Sequence, residues 1–191
     1  MRTVKEPEIR KQEILEGAIR VFAEKGYDKA TISVIAKELK ISQGLCYRYF
    51  ASKEEIYDAA VEKYADLLLT EFLKHQDESK TLREGIDHIG ESIGRLMRIE
   101  KTDRALYSFF HENGNERLHN ELLLKVAEKL LPYIQEILRK GKERGEISVE
   151  DPDRIAIVGL YGELGTFFVK GMSEEERVAT IQMSWKRLLG K

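Results

Sequence analysis

Apolar residues recur through this chain at intervals of three and four, and that spacing predicts helices from one end to the other. Ile14, Ala18, Val21 and Phe22 make one stripe in a segment that opens at Pro7, a good first-turn residue, and stops at Lys25 before Gly26. Thr31 then caps a short helix whose Ile32, Ile35, Ala36 and Leu39 share a face. Ile41 is an apolar plug in the following turn, and Ser42 caps a second short helix. In that helix Cys46, Tyr49 and Phe50 fall on the inner side, which leaves Gln43, Gly44, Tyr47 and Arg48 facing out.

The pattern continues with equally local signals. Ser52 with Glu55 forms a capping box for a fourth helix, whose apolar positions run through Ile56, Ala60, Tyr64, Leu67 and Leu68. Thr81 with Glu84 opens another, carrying Ile86, Ile89, Ile93 and Met97. A helix is expected over 103–112, a break at Asn113-Gly114-Asn115, and a long helix over 116–144 in which Pro132 should produce a kink near 128–132. Asp151-Pro152 and the Ser173/Glu176 capping box start the last two. No strand pattern or internal repeat interrupts this series, so the expected fold class is all-α with about nine helices.

Two short capped helices joined by a turn, the second presenting hydrogen-bonding side chains, are the parts of a helix-turn-helix reader of DNA. The stretch TISVIAKELKISQGLCYRYF, with ILEGAIRVFAEKGYDKAT before it and YRYFASKEEIYDAAVEKY around its end, resembles the tetracycline-repressor (TetR) family of bacterial transcription regulators. Beyond about Tyr64 the likeness is architectural, including the phrase KGKERGEIS before a loop. The resemblance implies an N-terminal three-helix DNA-binding domain over residues 1–53 and a larger effector-binding and dimerisation domain over 54–191. It also implies a homodimer acting on a palindromic double-stranded DNA operator, a repressor by family habit, released when a small molecule binds. A constitutive dimeric regulator without an effector is the alternative reading. Four residues depart from the family pattern: Leu39 replaces a small residue, Lys40 the turn glycine, Leu45 a small polar residue and Cys46 a larger aliphatic one. Lys40 is therefore expected either to adopt a positive φ or to reshape the turn.

Charge modifies this picture by position. The chain of 191 residues has a formal net charge of −2, yet residues 1–53 hold eleven Lys or Arg against seven Asp or Glu. The remainder holds 21 against 27. A basic first segment suits phosphate attraction. The chain is 42% hydrophobic and 35% charged, with three prolines, as a soluble helical protein would be. No run of about eighteen apolar residues is present, and MRTVKEPEIRKQ is too polar for a secretory signal. The single cysteine cannot form an internal disulfide, so a cytoplasmic protein with no membrane partner is expected.

Thr31, Ser33, Ser42, Gln43, Gly44, Tyr47, Arg48, Tyr49 and Lys53 match the family's DNA-contact pattern. Gln43 and Arg48 can reach base edges, Thr31, Tyr47 and Lys53 suit phosphates, and Gly44 permits close backbone approach. Cys46 reads as an inert small hydrophobe. The four histidines lack metal-ligand spacing, so no metal or cofactor is expected. Gly159, Gly162 and Gly165 lack the strand and the lysine-serine ending of a phosphate loop and read as sites of close helix packing. In the proteins this chain resembles, the last two helices pair with their twins across a two-fold axis, and Val158, Phe168, Ile181, Trp185 and Leu188 are the candidate contributors, a place in the core of the single chain being equally open to some of them. Met97, Tyr107, Phe110, His111, Tyr133, Tyr161 and Phe167 are the candidate lining of an apolar effector pocket. No nucleophile-base set is present: His111 with Glu112, and Asp87 with His88, are helix neighbours that point apart, so an enzyme is not expected.

Overall fold

The computed structural model describes residues 6–74, 80–88, 91–92, 104–111 and 116–190. Among them nine helices follow one another: α1 (Pro7–Lys25), α2 (Ile32–Glu38), α3 (Gln43–Tyr49), α4 (Lys53–Lys74), α5 (Leu82–Asp87), α6 (Arg104–His111), α7 (Glu116–Glu143), α8 (Pro152–Phe167) and α9 (Glu174–Leu188). The described residues contain no strand. The all-α class and the helix-turn-helix at the N-terminal end stand as the sequence leads one to expect.

Helix ends follow local chemistry. Thr81 and Ser173 both close reciprocal capping boxes, with Glu84 and Glu176 respectively. Asp151 accepts hydrogen bonds from the backbone N–H groups of Asp153 and Arg154, with Pro152 behind it. At α4, Ser52 Oγ accepts from Glu55 N at 3.1 Å, while the Glu55 carboxylate reaches one residue further back, to Ala51 N. Pro132 lies inside α7, which continues to Glu143. Ile89, Ile93 and Met97, placed by spacing on a continuation of α5, and the Asn113-Gly114-Asn115 break lie outside the described residues.

The chain folds into two compact units, residues 1–64 with 100–122, and residues 65–99 with 123–191. In the first, α1 packs against α2 and α6 around Ile14, Ala18, Val21, Phe22, Ile35, Phe50, Ile56, Tyr64 and Phe109, all fully buried or nearly so. Those from α1 form the stripe that the sequence pattern marks. In the second, α9 packs against α8 and α5, and Leu82, Ile86, Leu138, Ile147, Ala156, Ile181, Trp185 and Leu189 form its main core. A smaller cluster holds Ala127, Leu130, Leu160 and Leu164, with Leu69 and Phe72 of α4 against it. Gly159 has a specific function here. A Cβ at that position would lie 2.6 Å from Trp185 Cζ2, so the missing side chain is the notch in which the indole rests.

Two of the dimer candidates lie inside this packing. Ile181 and Trp185, 1% and 5% exposed, belong to the core of their own chain, because the face of α9 they occupy is taken by α5 and α8. Among the described residues, no helix is long and apolar enough to cross a membrane.

Candidate nucleic-acid interface

The turn between α2 and α3 is a Schellman motif built on a lysine. Ile41 N donates to Ala36 O at 3.0 Å, Lys40 N donates to Lys37 O at 3.1 Å, and Lys40 has φ of 54°. Lys40 thus adopts the left-handed conformation that glycine takes at no steric cost. Leu39, immediately before it, is accommodated from the other side. A Cβ on Gly17 of α1 would collide with the Leu39 side chain, so the bare backbone of α1 makes room for a residue larger than the family pattern has there. Lys40→Gly is expected to raise the unfolding free energy by about 0.5 to 1 kcal/mol by removing the left-handed penalty, as read from urea denaturation.

Both helices of the pair are capped by hydroxyls. Thr31 Oγ1 accepts from Val34 N at 3.3 Å, and Ser42 Oγ accepts from Leu45 N at 3.2 Å. On α3, Cys46 is fully buried and Phe50 nearly so, and Tyr49 is half-buried. Burial pushes the Cys46 thiol pKa up, away from the reactive thiolate. The opposite side presents Ser42, Gln43, Gly44, Tyr47 and Arg48, all exposed, and Thr31 and Ser33 are exposed on the α2 side. Tyr47 is 54% exposed, unusual for a large aromatic without a partner surface. A Cβ on Gly44 would meet nothing within 4 Å, so the residue leaves open backbone rather than satisfying a packing need. Lys53 differs from the others. Its Nζ donates to Tyr27 O at 3.1 Å and sits 4.0 Å from the centroid of the Tyr27 ring.

The other predicted residues scatter. Met97 lies outside the described residues, as do the side chains of Phe110 and His111, although both residues belong to α6. Tyr107 is half-buried in the first unit; Tyr133, Tyr161 and Phe167 belong to the second. Tyr133 and Tyr161 are surface positions in the single chain, and Phe167 lies beneath the Arg177 guanidinium at 4.7 Å. An open depression at the start of α9, lined by Glu174, Glu175, Val178, Ala179 and Gln182, includes none of them. Val158 and Phe168 are exposed, and Leu188 is half-buried. Among the described residues no three His, Cys, Asp or Glu side chains are grouped as a metal would require.

Two arrangements escape sequence reasoning. Glu163 lies beside Trp185, whose Nε1 donates to its Oε2 at 3.2 Å, and desolvation drives the carboxyl pKa up to about 7. Tyr57 of α4 donates to the Glu121 carboxylate of α7. Each joins residues far apart in the chain, for which spacing gives no signal.

Comparison with known proteins agrees with this geometry. Residues 14–60 match the family model described as bacterial regulatory proteins, tetR family. The biofilm operon icaADBC HTH-type negative transcriptional regulator IcaR of Staphylococcus epidermidis is 33% identical over 157 residues, which cover 82% of each chain. In fold, the chain is similar to Salmonella enterica GusR, with a TM-score of 0.68 at 22% identity over 98% of this chain and 99% of that one. It is also similar to SmeT in complex with triclosan, with a TM-score of 0.58 at 19% identity over 95% and 90%. This chain belongs to the TetR family of bacterial transcriptional regulators, helix-turn-helix DNA-binding proteins that are not enzymes.

Proposed function

We propose that this protein is a homodimeric repressor that binds a palindromic operator through residues 1–53 and is released by a small molecule held within residues 54–191. The observation that carries the reading is the two-sided α3, with Cys46 and Phe50 locked into the core and Gln43, Tyr47 and Arg48 left outside. A helix held rigidly by one face and presenting long polar side chains on the other is what insertion into a major groove requires. Gln43 and Arg48 read base edges; Thr31, Ser33, Ser42, Tyr47, Tyr49 and Lys53 contact the backbone; Gly44 lets α3 approach closely. Repression is supported by the likeness to IcaR, a negative transcriptional regulator, and effector binding by the likeness to SmeT, whose structure is a complex with triclosan.

Self-association is supported by α8. Val158 and Tyr161 are exposed on it, Phe168 and Val169 are exposed just beyond its end, and Gly162 and Gly165 between them would meet nothing within 4 Å if given a Cβ. An apolar stripe with bare backbone between its side chains suits close approach of a second copy. Phe168→Ala is expected to weaken the dimer roughly tenfold without unfolding the chain, as measured by analytical ultracentrifugation.

For the effector, the decisive experiment is a compound screen read by operator affinity. A ligand that lowers affinity by roughly 5- to 150-fold is the expected result. If compounds that bind the protein leave operator affinity unchanged, the constitutive reading replaces this one.

A further inference from the structure

Lys53 opens α4 directly after the reading helix, and its ammonium is held in place. Nζ donates to the Tyr27 carbonyl oxygen and faces the Tyr27 ring. Tyr27 stands edge-on to Tyr57, one turn further along α4, with centroids 5.3 Å apart at 61°. Tyr57 meets Phe109 edge-on at 6.0 Å and 85°. Phe109 stacks on Phe22 at 5.1 Å, and Phe22 returns to Tyr27 at 5.4 Å, so the four rings form a closed circuit. Its members come from α1, the loop after it, α4 and α6. The Tyr57 hydroxyl leaves the circuit to donate to the carboxylate of Glu121 on α7, a helix that continues to Glu143.

We propose that Tyr57 and Glu121 are positioning residues for operator binding: their hydrogen bond pins the aromatic circuit that fixes the Lys53 ammonium against Tyr27, ready for a DNA phosphate beside the reading helix. This rests on the phosphate-contact role given to Lys53 above. An ammonium has three donors, so one spent on Tyr27 O leaves two for phosphate oxygens. A lysine on a flexible stem loses rotamer freedom when it meets a phosphate. Fixing it in the free protein takes that loss at folding instead of at binding. The Tyr27 ring holds the cation through its electron-rich face and is itself packed in a T-shaped contact with Tyr57. Hydroxyl donation to a carboxylate is the strong, charge-assisted kind, so Glu121 fixes the Tyr57 ring more firmly than packing alone.

The test is a double-mutant cycle on operator affinity, measured at several salt concentrations with the duplex the wild-type protein selects from a random pool. Lys53→Ala is expected to lower the slope of log affinity against log salt by about one. Tyr57→Phe keeps all four rings and loses only the hydroxyl. It is expected to weaken binding about three- to tenfold in the wild-type background and to have no further effect in the Lys53→Ala background. Glu121→Gln should act in the same direction, and it carries the test if thermal melting shows Tyr57→Phe to be misfolded. If Tyr57→Phe leaves affinity unchanged, or its loss multiplies with that of Lys53→Ala, the positioning role is overturned while the phosphate contact stands. An unchanged salt slope for Lys53→Ala overturns the phosphate contact and the inference with it.

Discussion

Phe109→Ala is expected to destabilise the first unit by about 3 to 5 kcal/mol and to abolish duplex binding, although residue 109 is far in sequence from the reading helix. Phe109 is fully buried and stacks on Phe22, itself fully buried in α1. Truncating such a ring loses its transfer free energy and leaves a cavity that neighbours fill only partly. Tyr57 would also lose its edge-on partner. The residues the ring supports, Phe22 and Tyr57, stand on the helices that flank the helix-turn-helix pair, α1 before it and α4 after it. Urea unfolding followed by circular dichroism measures the cost. A loss below about 1 kcal/mol would mean that α6 is dispensable to the unit.

Glu163→Gln is expected to do the reverse, stabilising the protein by up to about 3 kcal/mol at pH 8 with almost no effect at pH 4.5 or below. In the unfolded chain the carboxyl titrates near 4.5; beside Trp185 it titrates at about 7, because burial disfavours the charge. Below 4.5 both states hold the proton and nothing is lost. Between 4.5 and 7 the unfolded state ionises while the folded state stays neutral, so stability falls as pH rises, and above 7 the whole penalty is present. Arg177, on the adjoining α9, does not relieve it: its Nε donates to Thr166 O and its guanidinium covers Phe167. Glutamine offers the same acceptor to the indole N–H without a titration. Trp185 is the only tryptophan in the chain, so its fluorescence should change with a midpoint near pH 7 in the wild-type protein and stay flat in the variant. Equal pH profiles of stability for the two proteins would show that Glu163 is solvated.

What the sequence made legible was local. Thr31, Ser42, Thr81, Asp151 and Ser173 cap the helices assigned to them, because a cap needs only the next two or three residues. The outward set on α3 follows from helical periodicity, whereas Lys40 at the turn position left two outcomes open, a positive φ or a reshaped turn, and its φ of 54° settles for the first. Partners across long separations were hidden. Periodicity marks Ile181 and Trp185 as an apolar face of α9 but says nothing about whether that face meets a second chain or, as it does, α5 and α8. The notch at Gly159 that receives Trp185, and the Gly17 gap that receives Leu39, are complementarities of shape between distant segments. Lys53 matched a phosphate-contact pattern, yet its hold on Tyr27 could not be read from residue type. The acid at 163 looked like any charged helix position until its surroundings were known.

Selection from random duplexes shows whether α3 reads DNA through its outward side chains as part of a dimer. The purified protein and Arg48→Ala would be compared at two salt concentrations. The expected result is enrichment of one palindromic sequence, bound less tightly at higher salt and at least about tenfold less tightly by Arg48→Ala, as loss of a bidentate base contact implies. No enrichment by folded dimer, or an enriched sequence that Arg48→Ala binds equally well, would contradict it.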